Sequence, residues 1–523
     1  MAASVIFTPV PAPAQPSGAA PEGGVYRRPL AQEPATLDPA RISDVYSRSV
    51  AQQIFDGLVQ FDSTLTITPA LAEFWKASRD GLTWTFTLRP GVKFHHGRAV
   101  TADDVVFSFT RILDPRLKSS AAEIFATIKG APEFRDGRAP SVSGLVALDA
   151  STVQITLTET FAPFVSVLAM GHAKVLPRDL VERAPETFGL APVGTGPFKF
   201  SQWERGRSIT LLRNADYFDG APHLSRLVFR IFEGGNVPAM YEEFKAGRLE
   251  DTPVPTSEYG HIDPRGEYQY IKRPMFNLRH YGFNTRVKPL DDRRVRRAIA
   301  AAIDRPSILE DIFRGRFIPA RGILPPGSLG FNPGVTSIAY DPAAARAGLA
   351  QAGYPEGRGL PPVTFWSSVK TERTALEHER MKKALAVIGV RADFQYEKDW
   401  PAFARRLGER RGGAFLYAWH ADIPDPDNFL HLLFHSRSPR NYMGYTNRVV
   451  DDLLTRARSE RDLQRRVDFY RRAEQMILDD APLIPFWHYP YERLFQRYVR
   501  SVEVNGLGDP YIPLRKIRLE SAR

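Results

Sequence analysis

The chain has 523 residues and a net charge of +11, with 43% hydrophobic and 25% charged residues. This composition is typical of a globular protein with two or more domains, and it excludes fibrous, collagen-like and wholly disordered chains. No run of about 18 apolar residues is present, so no membrane span is predicted. The absence of cysteine excludes disulfides, thiol nucleophiles, Cys-ligated zinc and iron–sulfur clusters.

The positive charge invites a nucleic-acid interpretation. However, the arginines are spread along the chain, and the densest clusters, 292–297 and 461–472, lie on amphipathic helical patterns. Charge runs of this kind are usually the solvated faces of helices. We therefore expect no nucleic-acid partner.

The first segment, 1–24, is rich in Ala, Pro and Gly and shows no periodicity. It predicts a disordered leader or the remnant of an export signal, with Ala12-Pro13-Ala14 as a possible trace of a cleavage site. From Val25 onward, short strand and helix patterns alternate without a detectable repeat.

The segment from Thr83 to Leu88 alternates strictly between polar and apolar residues, which predicts a strand with one buried face. Thr101 is a good N-cap for the next helix, with Asp104 at its third position, and Asp114-Pro115 ends that helix.

Two later helices have clear boundary signals. Asp341-Pro342 begins a helix that runs to Ala352, with Gly353 as the left-handed stop. The stripe along Leu463 to Asp480 predicts a longer helix, and the segment from Phe415 to His420 predicts a strand. The pattern indicates a mixed α/β protein without simple βαβ repeats.

Two glycine-rich segments resemble catalytic motifs only superficially. Gly194-Thr195-Gly196-Pro197 lacks the Gly-Lys-Ser/Thr ending of a phosphate loop, and Pro197 removes a backbone donor. The segment from Gly327 to Gly330 has the wrong spacing for a nucleophile elbow. We expect structural turns at both places.

The loop from Asp422 to Asn428 contains three carboxylates, which suggests calcium. It lacks the glycine at position six, and Leu433 stands where the bidentate glutamate would fall. A rigid loop that presents a carboxylate to a cationic ligand fits better, with Asp427 and Asn428 capping a helix from Phe429 to Phe434.

His431 and His435 stand four residues apart, a spacing that can hold a metal ion. The zincin pattern is missing, so we predict structural histidines there and also at His95-His96. No nucleophile, base and orienting group emerge together. The residues alone leave a binding protein or an enzyme of unknown type, and they predict no metal or cofactor.

The sequence from Thr83 to Phe109 closely resembles the signature of the family 5 solute-binding proteins, the peptide- and nickel-type receptors of ABC importers. Further segments match in family order between about residue 25 and about residue 515. They are Leu37-Asp38-Pro39, Ile54 to Leu58, Val193 to Phe198, Asn214 to Gly220, Phe283-Asn284, Arg294 to Arg296, Ile303 to Arg305, Tyr340 to Pro342, Ala352 to Tyr354, Asp425 to Leu430 and Ala481 to Pro485.

The resemblance implies an α/β fold of the two-lobed periplasmic-binding-protein type (type II, cluster C), with a hinge and an extra subdomain in lobe I. Lobe I would take 25–275, with the inserted subdomain at about 60–185. Lobe II would take 276–488, and 489–523 would return to lobe I.

The resemblance also implies a ligand site. Asp422 would receive the α-ammonium group of a peptide, and the backbone of Ala418 and His420 would pair with the peptide main chain. The expected ligand-binding residues are Asp422, His420, Ala418 and Trp419 from lobe II, and Asp44, Val45 and Tyr46 from lobe I.

The implied function is the capture of di- or oligopeptides outside the cytoplasm, in the periplasm or its equivalent. The chain would act as a monomer without a cofactor and deliver its ligand to the permease and ATPase subunits of an importer. A receptor for a nickel chelate, a sugar or another small solute is the alternative. A hydrolytic enzyme is a more remote alternative, because the sequence shows no motif that combines a nucleophile with a base.

Overall fold

The computed structural model describes residues 23–259, 262–263 and 266–520. All but the last two residues of the predicted leader lie outside these ranges. The described part forms two α/β lobes, and the first of them carries an additional α/β subdomain. Within the described ranges, no helix has the length and hydropathy needed to cross a bilayer.

The first lobe is built on a four-stranded sheet. Its strands, in spatial order, are Val25–Leu30, Arg226–Ile231, Ser208–Arg213 and Phe198–Glu204. The first two strands are parallel, and the other pairs are antiparallel. Helices in the same part of the chain are Val45–Ile54, Arg178–Arg183 and Val237–Lys245. The apolar face of Val45–Ile54, with Val50 and Ile54, packs into the core of this sheet.

The inserted subdomain has its own four-stranded antiparallel sheet and its own core. The strands are Ala72–Ala77, Thr83–Leu88, Thr152–Thr156 and Leu145–Asp149, and the main helix is Ala102–Leu113. Smaller elements are Val59–Phe61, Ile67–Pro69, Ala131–Arg135 and Phe164–Val167. The predicted strand and the predicted helix start are confirmed: the backbone N–H and hydroxyl of Thr101 both bond one carboxylate oxygen of Asp104 at 3.0 Å.

The second lobe contains a mixed six-stranded sheet. In spatial order its strands are Ile318–Pro319, Leu483–His488, Asn277–Phe283, Ala414–His420, Val363–Ser367 and Ala392–Tyr396. Its helices are Arg293–Ala301, Arg305–Phe313, Pro342–Gln351, Glu372–Val387, Trp400–Gly408, Leu430–Phe434, Arg448–Ser459 and Leu463–Asp480. The helix predicted to begin at Asp341-Pro342 and the helix predicted from the stripe along Leu463 to Asp480 are confirmed.

Two neighbouring chain segments connect the lobes. Gln269–Pro274 and Pro490–Phe495 pair antiparallel, with Asp251–Pro253 on the outer side of the latter. The fully buried Asn277 then ties them together: its amide donates to the Tyr489 carbonyl (2.9 Å) and accepts the Tyr489 N–H (2.6 Å). Both connections therefore run side by side.

The predicted turn at Gly194 is confirmed. A Cβ on Gly194 would stand 2.0 Å from the Ile54 carbonyl oxygen, so only glycine fits this close approach. The Nε2 atom of His95 lies 2.9 Å from the Gly196 carbonyl oxygen, which holds the turn in place.

The expectation that both arginine clusters form solvated faces is wrong at one residue in each. Arg296 is buried and donates to the carbonyls of Leu290 (2.8 Å) and Ala481 (3.0 Å). Arg466 is buried against Asp425. Each guanidinium meets acceptors that are distant in sequence, and helical periodicity does not reveal such partners.

Glu474 should make the free energy of unfolding depend on pH. It is buried on the helix Leu463–Asp480, and one carboxylate oxygen accepts the N–H groups of Ile323 (2.7 Å) and Leu324 (2.9 Å). Burial raises the pKa of Glu474 from 4.5 to about 7. Between these pH values the folded protein holds a proton that the unfolded chain has lost. The free energy of unfolding should therefore fall as the pH rises through this interval, by up to about 1.4 kcal/mol per pH unit.

The Glu474→Gln variant should lack this contribution, because the amide does not titrate. We expect urea unfolding at about pH 5 and about pH 8 to show a larger loss of stability in the parent protein than in the variant. Equal losses in the two proteins would contradict the assignment.

Candidate ligand-binding site

A cavity of about 1160 Å³ lies where the first lobe, the inserted subdomain and the second lobe meet. Among its lining residues are Ser43 and Arg48 from the first lobe, Ser120 and His172 from the subdomain, and Trp419, Asp422 and Arg458 from the second. The Arg458 carbonyl accepts the N–H of Ala162 (2.9 Å), so the second lobe and the subdomain are in direct contact at one end.

Charges of both signs line this cavity. The acidic side chains are Glu123, Glu159, Asp422, Asp427, Asp451 and Asp452. The basic side chains are Arg48, Arg437, Arg440, Arg448 and Arg458. The balance suits a ligand that carries both charges, because a buried charge is tolerated only when it is paired.

Asp422 lies two residues after the strand Ala414–His420 ends, and Asn428 fixes its position. The buried amide oxygen of Asn428 accepts the backbone N–H of Asp422 (3.0 Å) and the indole N–H of Trp419 (3.2 Å). The Asp422 side chain stays 30% exposed and lines the cavity. The backbone is therefore held in place while the carboxylate is partly exposed to the cavity.

The other two carboxylates of this loop are buried as well as paired within the protein. Asp425 forms a buried, bidentate pair with Arg466 (2.6 and 2.9 Å). Asp427 accepts the Tyr470 hydroxyl at 3.3 Å. Among the three carboxylates of the loop, Asp422 is the one that stays partly exposed to the cavity. This agrees with the prediction of a loop that presents a carboxylate to a ligand.

The predicted capping role of Asp427 and Asn428 is wrong. The helix begins at Leu430 without a side-chain cap, and Asp425 instead caps the short turn Pro426–Asn428 by accepting the Asp427 N–H (2.9 Å). The Asn428 side chain is used by Trp419 and Asp422, which a local sequence pattern does not reveal.

Arg48 is the residue that sequence reasoning missed. It projects from the helix Val45–Ile54, and its Nη1 atom lies 3.3 Å from an Asp422 oxygen. A Cβ on Gly171 would stand 2.7 Å from Arg48 Cγ, so the missing side chain makes room for the arginine stem. The partners are 374 residues apart, and no local signal marks Arg48.

His172 stands beside this pair. Its Nε2 atom lies 3.0 Å from the Ile42 carbonyl oxygen and 3.1 Å from the Ser120 hydroxyl. Burial, aided by the nearby Arg48 charge, lowers the pKa of His172 to about 4. The imidazole is therefore neutral near pH 7 and adds no charge to the site.

The strand Ala414–His420 has an unpaired edge next to Asp422. On one side it pairs along its whole length with Asn277–Phe283. On the other side, among the described residues, only its first two residues pair with Val363–Ser367. The later part of the strand can therefore accept another extended chain along this edge.

Ladder alternation identifies the residues that face this edge. The Ala421 N–H donates to the Phe276 carbonyl (2.8 Å), on the paired side. Every second residue of an antiparallel strand shares that direction, so Trp419 also points its backbone groups to the paired side. The backbone groups of Ala418 and His420 point to the open edge.

Asp44, Val45 and Tyr46 occupy the start of the same helix as Arg48. The Asp44 side chain caps this helix by accepting the N–H (2.7 Å) and hydroxyl (2.6 Å) of Ser47. Val45 is exposed and Tyr46 is half-buried, and none of the three lines the cavity.

His431 and His435 line the cavity as a stacked pair with ring centroids 4.5 Å apart. Burial lowers the pKa of His431 to about 2. The two ring nitrogens of His435 are engaged by the Arg437 N–H (3.2 Å) and the Thr455 hydroxyl (3.2 Å). This arrangement serves packing, because it leaves His435 without a nitrogen for a metal ion.

Comparisons with known proteins agree with this architecture. The dipeptide-binding protein of Escherichia coli strain K12 is 30% identical, covering 87% of each chain. Heme-binding protein A of Haemophilus influenzae is 32% identical, covering 88% of this chain and 86% of the relative. The periplasmic binding protein DppA of Helicobacter pylori, solved in complex with the peptide STSA, superposes with a TM-score of 0.79 at 28% identity, covering 96% of this chain and 99% of that one.

These relatives share the fold over nearly the whole chain. The family model described as "Bacterial extracellular solute-binding proteins, family 5 Middle" matches residues 66–441, a span that includes the inserted subdomain and the strand that ends beside Asp422. The chain therefore belongs to the family 5 bacterial extracellular solute-binding proteins.

Proposed function

We propose that this protein captures short peptides and holds them by their amino end at Asp422. The observation that carries the proposal is a single arrangement: a partly exposed, cavity-lining carboxylate two residues beyond a strand whose last residues have one unpaired edge among the described residues. A carboxylate pairs strongly with an ammonium group, and a free strand edge binds any extended main chain. Relatives named for dipeptide binding and a neighbour solved with a peptide support this choice.

The contact roles are distributed over two lobes. Asp422 pairs with the ammonium, Ala418 and His420 supply main-chain bonds, and Trp419 forms part of the wall. The helix start at Asp44, Val45 and Tyr46 lies on the opposite side of the ligand. Support for the last assignment comes from Arg48, which lies one turn further along the same helix and reaches Asp422.

The two lobes correspond to 25–275 with 489–523, and to 276–488, and the subdomain to about 60–185. The two adjacent connections near residues 276 and 488 act as the hinge. The antiparallel pairing of Gln269–Pro274 with Pro490–Phe495 supports this assignment, because the two segments pass between the lobes as one two-stranded ribbon. Closure of the lobes around the peptide excludes water from Asp422.

A family 5 protein works outside the bacterial cytoplasm, as predicted, and its partners are the permease and ATPase subunits of an ABC importer. The family consists of binding proteins, and the proposed role contains no bond-making or bond-breaking step. Capture, closure and release are sufficient.

Native mass spectrometry of the purified protein, with and without added alanine tripeptide, tests the proposal. We expect a set of peptide adducts, or uptake of one added peptide per chain. Retention of a heme, a metal chelate or a sugar, together with no uptake of peptide, would overturn it.

Main-chain pairing can be tested on the ligand. We expect N-methylation of one strand-facing amide of an alanine tripeptide to weaken binding by about 1 kcal/mol per lost hydrogen bond, because the donor is removed. Isothermal titration calorimetry measures the difference. The Ala418→Ser variant is the control, since it changes a side chain and keeps the backbone, and its affinity should match the parent. Full affinity for the methylated peptide would rule out strand addition.

A further inference from the structure

The contact between Arg48 and Asp422 joins the two lobes at the proposed anchor. Arg48 lies on the helix Val45–Ile54 of the first lobe, and Asp422 follows the strand Ala414–His420 of the second lobe. Among the described residues, each of the two is the only ion-pair partner of the other. The carboxylate proposed to receive the peptide ammonium is therefore already paired with a cation that belongs to the protein.

This pair is held more loosely than a structural ion pair of the same protein. One hydrogen bond of 3.3 Å joins Arg48 Nη1 to Asp422 Oδ1, and the two side chains are 17% and 30% exposed. By contrast, Arg279 and Glu377 form two bonds of 2.8 Å and are 6% and 0% exposed. The Arg48 Nε atom is buried and has no hydrogen-bond partner among the described residues, so the pair leaves one donor unused. A competing cation can therefore separate the pair at modest cost.

The neighbouring residues nevertheless direct Arg48 to this place. A Cβ on Gly171 would stand 2.7 Å from Cγ and 3.0 Å from Cδ of Arg48, and its three nearest atoms would all belong to Arg48. The Gly171 N–H donates to the buried Tyr511 hydroxyl (3.1 Å), which fixes the glycine. The arginine stem thus lies in a passage that the missing side chain leaves for it.

Two cations then share one acceptor at the anchor. We propose that Arg48 competes with the peptide ammonium for Asp422 and that the peptide displaces Arg48 when it binds. This inference rests on the proposed function, because it concerns the same anchor. The peptide gains only the difference between its own ion pair and the one that it breaks. A ligand that also forms main-chain bonds at the strand edge gains on balance, whereas a small amine only replaces one ion pair by another.

Titration calorimetry with alanine tripeptide tests the competition. In Arg48→Met, which removes the charge and keeps an unbranched side chain, we expect the affinity to rise by about fivefold, because no ion pair has to be broken. N-acetylated alanine tripeptide has no ammonium and would leave Asp422 unpaired in this variant, so its affinity should stay the same or fall. A purely structural role of Arg48 would instead weaken the binding of both peptides.

Two other substitutions complete the comparison. Gly171→Ala keeps the charge of Arg48 and displaces its stem, so this variant should also bind the free tripeptide more tightly than the parent. Arg437→Met is the matched control, because it removes a positive charge from the wall of the same cavity at a residue that forms no ion pair with Asp422. Its affinity should stay within about twofold of that of the parent.

The possible results separate this inference from the proposed function. An unchanged or lower affinity of Arg48→Met for the free tripeptide would overturn the inference, and so would an equal gain for the acetylated peptide or in Arg437→Met. If Arg48→Met does not fold, the same results in Gly171→Ala decide. In each of these cases the proposed function stands as long as the parent protein binds the tripeptide. If the parent does not bind it, both fail.

Discussion

Replacing Asp422 with Asn should weaken the binding of alanine tripeptide by about 2–5 kcal/mol, the cost of leaving a desolvated charge unpaired in an interface. The substitution keeps the shape of the side chain and removes its charge. Arg48 would then face the peptide ammonium without compensation, and repulsion between the two cations would add to the loss. Titration calorimetry of the parent and the variant measures the change.

The structure offers a matched control for this experiment. Asp452 lines the same cavity but lies on the exposed surface of the helix Arg448–Ser459, 3.6 Å from Arg456. Asp452→Asn removes an equal charge from the cavity wall, and we expect its peptide affinity to stay near that of the parent. An equal loss in both variants would mean that the overall charge of the cavity, and not contact with Asp422, determines affinity.

The second large effect concerns stability. Arg466→Met should lower the free energy of unfolding by about 3–5 kcal/mol, because it leaves the buried Asp425 carboxylate without its partner. The pair is bidentate, and both residues are about 93% buried, with 7% of each side chain exposed. Urea unfolding followed by circular dichroism measures the loss.

Two further variants distinguish the loss of the Arg466–Asp425 ion pair from the effect of shortening an arginine side chain. Arg465→Met, an exposed neighbour on the same helix, should change stability by less than about 0.5 kcal/mol. The double variant Asp425→Asn/Arg466→Met removes the unpaired carboxylate charge. The asparagine keeps a side-chain oxygen that can still accept the Asp427 N–H at the turn Pro426–Asn428. We expect it to be more stable than Arg466→Met alone, and a less stable double variant would contradict the assignment.

Local patterns were sufficient for much of the fold. The apolar stripe along Leu463 to Asp480 predicts the helix found there, and strict alternation predicts the strand Thr83–Leu88. These patterns succeed because caps and periodicity act within a few residues. The placement of Asp422 at the end of a strand followed from the same reasoning together with the family resemblance.

The rest of the site depends on contacts between distant parts of the chain. Arg48 and Asp422 are separated by 374 residues, and Arg466 meets Asp425 although Arg465 beside it is exposed. Asn428 was predicted to cap a helix but instead holds the strand end. A short polar side chain can serve either role, and the tertiary fold decides between them.

The most direct test of peptide anchoring at Asp422 is a set of four titrations: the parent protein and Asp422→Asn, each with alanine tripeptide and with its N-acetylated form. Acetylation removes the ammonium and the substitution removes the carboxylate, so each change destroys the same pair. The proposed anchor predicts that the combined loss is close to either single loss, with a coupling of about 2 kcal/mol or more. Losses that simply add, or unchanged binding in Asp422→Asn, would show that the peptide is anchored elsewhere.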